Sequence, residues 1–394
     1  MAESTGDEAQ FEGDAGTLRR PWQAYYEATL GFRNHWYPVF FSRALAEGES
    51  RGQMVLGENI LFKRVDGRVY AIEDRCAHRG VKLSVRPECH TKNTISCWYH
   101  GFTYDVRDGK LIAIITDPEG TLVGRIRLKT YPVEEKKNMV FVFVGDDEPQ
   151  DLALDLQPGF LDDDIAIFPD GEHDVVNSNW RLAAENGVDA SHIYIHRNSA
   201  LINVAKRALP LATYFLTRDG MVQDQDGAPK GVIKGAGQRT AVWETEIEGV
   251  KIGSQYQPGV NTDQVYRTDT SLWMPCGLKV DPCPRPGDIQ FEWYVPRDEG
   301  SHYYIVTWGK RVSSEADKTQ FYHEMSSVWK ELVVDKFNNE DVIAREAMES
   351  FYAEEDGWNR EHLFRPDLVI AEWRRLSSKH NRGIQRKPAR RPKR

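Results

Sequence analysis

Cys76-Ala77-His78 and, after 18 intervening residues, Cys97-Trp98-Tyr99-His100 are the runs that decide how this chain is read. Each box supplies one thiol and one imidazole. Together they offer two sulfur and two nitrogen ligands, a set that a tetrahedral zinc site accepts. A Rieske [2Fe–2S] centre needs the same set, with two Cys on one iron and two His on the other. Neutral imidazoles in place of two thiolates reduce the negative charge on such a cluster and raise its reduction potential. The surroundings favour the cluster. Both boxes follow expected strands and turns, and Gly80 and Gly101 come soon after them, so the backbone can bend tightly there. A zinc finger would instead place its two His on a helix at short spacing. Structural zinc remains the alternative reading of these four residues.

Around the boxes, residues 31–148 read as short strands and tight turns. Leu61-Phe62 and Val69-Tyr70 flank an Asp66-Gly67 hairpin turn. Asp108-Gly109 lies between Thr103-Tyr104 and Leu111-Ile112, and the apolar run from Met139 to Val144 reads as a buried strand. Asp146, Asp147, Pro149 and Gln150 break the pattern, which places a domain boundary after residue 148. Before this domain, residues 1–20 read as a disordered acidic lead and 22–30 as a short helix. Segment 1–30 is expected to pack with the second domain.

That second domain, 149–380, mixes helix and strand. Residues 177–195 look helical, with Ser178 or Asn179 available as N-cap. Strand-like stretches fill 200–310, among them Gln290-Phe291-Glu292-Trp293-Tyr294-Val295. Helical periodicity covers 315–350, broken near Phe337-Asn338-Asn339. Residues 381–394 are basic, contain no acid and read as a solvated tail. The fold class is therefore α+β, with an all-β N-terminal domain.

An iron–sulfur cluster only moves electrons, so the long remainder of the chain should use them. His192 and His196 are four apart and would share one face of a helix. Two such imidazoles and one carboxylate make the facial triad of non-haem Fe(II) oxygenases. Spacing alone cannot select the carboxylate among 60 acids.

The run Asp74-Arg75-Cys76-Ala77-His78-Arg79-Gly80 with Cys97-Trp98-Tyr99-His100-Gly101 resembles the Rieske motif of ring-hydroxylating oxygenases. Respiratory Rieske proteins carry an extra disulfide cysteine in each box, and neither box here has one. Cys89, between the boxes, reads as an ordinary buried or half-buried thiol. Several flanking runs resemble the family branch that attacks carbazole at an angular position. They are Gly31-Phe32-Arg33-Asn34-His35-Trp36-Tyr37-Pro38, Ser178-Asn179-Trp180-Arg181-Leu182-Ala183, Phe291-Glu292-Trp293-Tyr294-Val295-Pro296 and Ala344-Arg345-Glu346-Ala347-Met348. The resemblance covers most of 31–380 and is weak over 197–270.

What the resemblance implies is specific. Cys76, His78, Cys97 and His100 hold the [2Fe–2S] cluster, and a helix-grip catalytic domain holds a mononuclear Fe(II) on His192, His196 and Asp341. Glu340 is the neighbouring competitor for the carboxylate. Asp189 bridges a catalytic His to a Rieske His of the adjacent subunit. Gly187, Ile193, Leu278, Val280, Gln290 and Phe337 line the substrate pocket, with a carbonyl near Gly187 available to the carbazole N–H. Cys283 stands where a bulky aromatic is expected. The chain forms a homotrimer, takes electrons from NAD(P)H through reductase and ferredoxin partners, and adds both atoms of O₂ at C1 and C9a of carbazole. Rival readings are a Rieske monooxygenase or O-demethylase, a Rieske electron carrier without a second iron, and a zinc-stabilised binding module. His35, His90, His173, His302, His323, His362 and His380 receive no role.

The bulk properties exclude other classes. A length of 394 residues suggests two or three domains. The net charge of −9 gives no hint of nucleic-acid binding; it suits solubility or docking of a basic partner. The N-terminus lacks the order of a signal peptide, and no apolar run approaches the ~18 residues of a membrane span. Five Cys in a large chain argue against a disulfide scaffold and for a reducing cytoplasm.

Overall fold

The computed structural model describes residues 22–387, apart from residue 190 and several stretches between 206 and 267. The acidic lead 1–20 and residues 388–394 lie outside the described residues.

One two-faced strand organises the N-terminal domain. Glu58–Val65 pairs antiparallel with Ser50–Val55 and Arg68–Glu73, and Thr130–Tyr131 completes a four-stranded sheet. Asp66 and Gly67 join two of these strands at φ of 52° and 76°. Two successive left-handed residues give the turn whose twist matches paired strands. Along Glu58–Val65, Ile60 and Phe62 enter the large core of the molecule. Leu61 and Val65, on the opposite face, enter a separate smaller core with Ile72, Leu83, Ile95, Tyr104 and Leu111. Cys76 and Cys97 belong to that smaller core. Thr94–Ser96, Phe102–Asp105 and Leu111–Ile114 form a three-stranded sheet against it.

Met139–Val144 is buried at all six positions, as its apolar run requires, and pairs with both His35–Phe41 and Val133–Lys136. Its residues and those of His35–Phe41 pack into the large core, so this part of the N-terminal domain is continuous with the second domain.

The second domain is built on one antiparallel sheet. Its order is Ile165–Ile167, His302–Arg311, Asp288–Pro296, Gly277–Asp281, Asp269–Trp273, Ala228–Ile233 and Val222–Gln225, and Glu172–Val176 also pairs with His302–Arg311. The helix Trp180–Val188 is buried along its whole length and packs on the strands Asp269–Trp273, Gly277–Asp281 and Asp288–Pro296. Asn179 is its N-cap; its side chain accepts from the Arg181 N–H. Arg374, on the helix Leu368–His380, makes a bidentate ion pair with Glu185 and ties the C-terminal helix to this one.

Four expectations need correction. The helix expected over 177–195 stops at Val188 because Asp189 starts a side-chain turn. Its Oδ1 accepts from the Ser191 N–H at 2.6 Å and the Ser191 hydroxyl at 3.0 Å, which competes with helical bonding. His192 and His196 then fall on a separate 3-10 segment, His192–Asn198, rather than on one α-helical face. The N-terminal helix is shorter than expected and spans Gln23–Glu27. The break expected near 337–339, by contrast, is present, as a π-helical turn, Val334–Asn338, inside a helical run that reaches Glu354. Finally, 381–387 is docked rather than solvated. Arg382 binds the buried Asp155, Ile384 bridges to Phe32, and the Gln385 amide donates to the Leu56 carbonyl. Among the described residues no helix is long and apolar enough to cross a membrane.

Candidate metal centres

The two Cys–His boxes fold alike. The Gly80 N–H donates to the Cys76 carbonyl, and the Gly101 N–H donates to the Cys97 carbonyl, both at 2.8 Å. Each glycine has a positive φ, 74° and 70°. A Cβ on Gly101 would stand 2.6 Å from the Ile115 Cβ, so this turn has no room for a side chain. The boxes present their ligand types in layers. Cys76 and Cys97 are buried, while His78 is exposed and His100 half-exposed. The His78 and His100 Nδ1 atoms lie 3.1 Å apart.

These residues fit an iron–sulfur cluster. Both thiols are free, although they are buried side by side. Burial and the adjacent Cys76 push the Cys97 thiol up, against backbone N–H groups of Tyr99 and His100 aimed at its sulfur. Such donors stabilise a bound thiolate. Tyr104 adds a hydroxyl 3.4 Å from the Cys76 Sγ, and the oxygen of that hydroxyl accepts from the Ala77 N–H at 3.0 Å. Sequence reasoning missed Tyr104, because nothing in its strand signals a contact 28 residues back along the chain. Cys89 is exposed, not buried or half-buried as expected, and Lys63 donates to its Sγ at 3.1 Å.

The second constellation forms where the segment after Trp180–Val188 meets the helix Asn339–Glu354. Ligand atoms of His192, His196 and Asp341 all lie within 4.8 Å of one another. The His192 Nε2 is 3.5 Å from Asp341 Oδ1, and the His196 Nε2 is 3.4 Å from Asp341 Oδ2. Both rings are held from behind. The His192 Nδ1 donates to the Asp189 backbone carbonyl at 2.8 Å, and the His196 Nδ1 bonds to Glu340 Oε2 at 2.8 Å. Those bonds turn both Nε2 atoms toward Asp341. The two neighbouring acids thus do different work: Asp341 faces the imidazoles and Glu340 backs one of them.

A metal fits this site. The His196 Nε2 is fully buried with no hydrogen-bond partner, an orphan that a cation would satisfy. Burial disfavours a charged His196, but the nearby carboxylates of Asp341 and Glu340 outweigh it and raise the imidazole to about 9. Asp341 is held below its usual value despite burial, chiefly by His196. Phe337 stacks on the His196 ring at 3.7 Å and shields it. The Asn186 amide donates to Asp341 Oδ1 at 3.2 Å.

The other candidates distribute as follows. Leu278, Val280 and Gln290 share one face of the sheet, with Val280 opposite Gln290 and Leu278 opposite Glu292. A Cβ on Gly187 would lie 2.3 Å from the Tyr294 Oη and 3.0 Å from Leu278, so the helix sits directly on that face. Ile193 is half-buried between the two histidines in sequence. Gln290 accepts from the Trp308 indole at 3.0 Å and from the Cys283 thiol at 3.4 Å. The Asp189 contact differs from expectation, since its backbone carbonyl holds His192 and its carboxylate turns to Ser191.

Known proteins place the chain. The family model for the Rieske [2Fe–2S] domain matches residues 35–132, and that for the homotrimeric ring hydroxylases matches 143–385. The chain is 46% identical to the terminal oxygenase component of carbazole 1,9a-dioxygenase from Metapseudomonas resinovorans, over 94% of this chain and 97% of that one. It is 48% identical to the same component from a Sphingomonas species, over 92% and 96%. The solved terminal oxygenase from Novosphingobium sp. KA1 superimposes with a TM-score of 0.87 at 47% identity, covering 94% of this chain and 98% of that one. The chain belongs to the homotrimeric ring hydroxylases, iron oxygenases that carry a Rieske [2Fe–2S] domain ahead of their catalytic domain.

Proposed function

We propose that this chain is the terminal oxygenase of a multicomponent dioxygenase that adds both atoms of O₂ to carbazole, or to a closely related tricyclic aromatic, at the angular position. Electrons would come from NAD(P)H through a reductase and a ferredoxin; a similar oxygenase, 45% identical, has been solved in its reduced complex with ferredoxin. The observation that carries the reading is the convergence of His192, His196 and Asp341 in a chain that also holds both Cys–His boxes. A cytoplasmic location suits five free thiols.

Cys76 and Cys97 would hold one iron of the cluster and His78 and His100 the other. His192, His196 and Asp341 would hold the mononuclear iron. When bound, the two centres supply electron transfer and O₂ activation. The protein's own contribution is positioning. Asp189 and Glu340 orient the two imidazoles through their Nδ1 atoms. Phe337 screens the His196 ring from water. Leu278 and Val280 offer apolar surface to an aromatic ring, and Gln290 sits beside them as a polar group. The Ser191 N–H that a continuing helix would give to the Gly187 carbonyl goes to Asp189 instead, and that carbonyl would receive an N–H such as that of carbazole. The Asp189 carboxylate would receive the imidazole of a neighbouring subunit's cluster.

The test is turnover of carbazole under isotopically labelled O₂ with a ferredoxin and reductase supplied. Two labelled oxygens in a ring-opened aminobiphenyl diol support the reading. One labelled oxygen would make the protein a monooxygenase.

A further inference from the structure

Behind Asp341 a buried cation stands without a direct counter-ion. Arg345 follows Asp341 by one turn on the helix Asn339–Glu354 and is 1% exposed. No ion pair links it to a carboxylate among the described residues. Its guanidinium lies over two rings, 4.9 Å from the Tyr294 centroid and 4.8 Å from that of Tyr304. Those rings are themselves fixed: the Tyr294 hydroxyl donates to Glu292 at 2.8 Å, and the Tyr304 hydroxyl accepts from the Asn338 amide at 2.8 Å. Burying a charge is costly unless something holds it, and here two aromatic faces and one amide touch it while the charges of Asp341 and Glu292 act on it from farther off. The Arg345 Nε donates to Asn186 Oδ1 at 2.6 Å, and the other end of that amide donates to Asp341 Oδ1.

The order of these contacts matters chemically. A guanidinium can only donate, so it fixes the oxygen end of the Asn186 amide toward itself. The NH₂ end must then face Asp341. Reversed, the amide would set its oxygen against a carboxylate oxygen.

We propose that Arg345 is a positioning residue of the metal site, acting through Asn186 to hold the Asp341 carboxylate facing the Nε2 atoms of the two imidazoles. The inference rests on reading His192, His196 and Asp341 as metal ligands. Outer partners of this kind change metal affinity by roughly 10–100-fold, whereas a residue that only supports packing would change thermal stability instead.

The experiment uses the full-length protein with its Rieske cluster intact, stripped of mononuclear iron. Co(II) affinity is measured anaerobically by chelator competition, with the cluster's visible spectrum and the melting temperature monitored in parallel. The variants are Arg345→Lys, Arg345→Met, Asn186→Ala, the Arg345→Lys/Asn186→Ala pair, and His196→Ala as control. Arg345→Lys keeps the charge but loses the flat group that lies between the rings, so it decides the matter if Arg345→Met does not fold. Expected is a roughly 10–100-fold loss of Co(II) affinity in Arg345→Lys and in Asn186→Ala, with no further loss in the pair because the two act in series. Wild-type affinity in Arg345→Lys, or losses that add in the pair, would overturn the proposal. The control separates the two readings. If His196→Ala binds Co(II) like wild type, the ligand assignment itself fails. If it loses Co(II) while Arg345→Lys does not, the ligands stand and only the role of Arg345 falls.

Discussion

Replacing Arg382 by Met tests whether the C-terminal segment is part of the fold. Asp155 is buried with a side-chain exposure of 0%, and it accepts four hydrogen bonds. Two come from Arg382 at 2.9 and 2.7 Å, one from the His35 ring at 2.8 Å and one from the Trp36 N–H at 2.8 Å. Burial favours a neutral Asp155, but His35 and then Arg382 outweigh it and keep the carboxyl below its ordinary value. Arg382→Met keeps much of the side-chain volume and removes half of the bonds along with a permanent counter-charge. Breaking one side of a buried ion pair costs about 3–5 kcal/mol. Arg382 is 17% exposed, so the lower end applies, about 3 kcal/mol.

The pH dependence has a definite sign. With a folded pKa below the unfolded value of about 3.9, wild-type Asp155 adds stability above that pH and loses it as pH falls through the folded pKa. In the variant His35 remains but the Arg382 charge is gone, so the folded pKa rises. The penalty is then largest at neutral pH and shrinks as the pH falls toward that raised pKa. Thermal unfolding followed by tryptophan fluorescence at pH 7 and pH 5 measures it. A drop in Tm of roughly 3–6 °C at pH 7, smaller at pH 5, is expected for a chain of this size. A drop under about 1 °C, equal at both pH values, would refute the reasoning and return 381–387 to a passive tail.

Further outcomes follow from the two centres. Glu340→Gln leaves His196 a weaker acceptor at Nδ1, and Fe(II) affinity by chelator competition should fall about tenfold; an unchanged affinity would deny Glu340 its supporting role. Tyr104→Phe removes a hydroxyl near the Cys76 sulfur, so the cluster's reduction potential should fall by tens of millivolts in a redox titration, on the order expected for hydrogen bonds to cluster sulfurs. A potential equal to wild type would contradict that. Asp189→Ala should keep both iron centres by metal analysis yet lose nearly all product formation, and intact turnover would remove Asp189 from the electron path.

How much of this was legible in the sequence depended on the span of each contact. The two boxes declared themselves because both ligands of each lie within four residues, and the Gly80 and Gly101 turns follow directly. The Asp66-Gly67 hairpin and the buried strand Met139–Val144 were legible for the same reason. Asp341 was reached through family resemblance, since 145 positions separate it from His196, and no local pattern distinguishes it from Glu340. Only the fold shows that one faces the imidazoles and the other backs a ring. The helix end was misjudged because Asp189 bonds Ser191 through its side chain, a choice that helical periodicity does not encode. The docked C-terminus was missed because Arg382 meets Asp155 across 227 positions. The Arg345–Asn186 contact spans 159 and leaves no trace in either neighbourhood.

The central claim is that one chain holds both a Rieske cluster and a separate mononuclear iron. Iron and acid-labile sulfide analysis of the purified protein, beside the EPR spectrum after dithionite reduction, tests it most directly. The account predicts about three irons and two sulfides per chain with a Rieske-type signal, the third iron lost in His196→Ala. Two irons with the same signal, and no third taken up when Fe(II) is supplied, would leave an electron carrier and contradict the account; zinc in a colourless protein would contradict both centres.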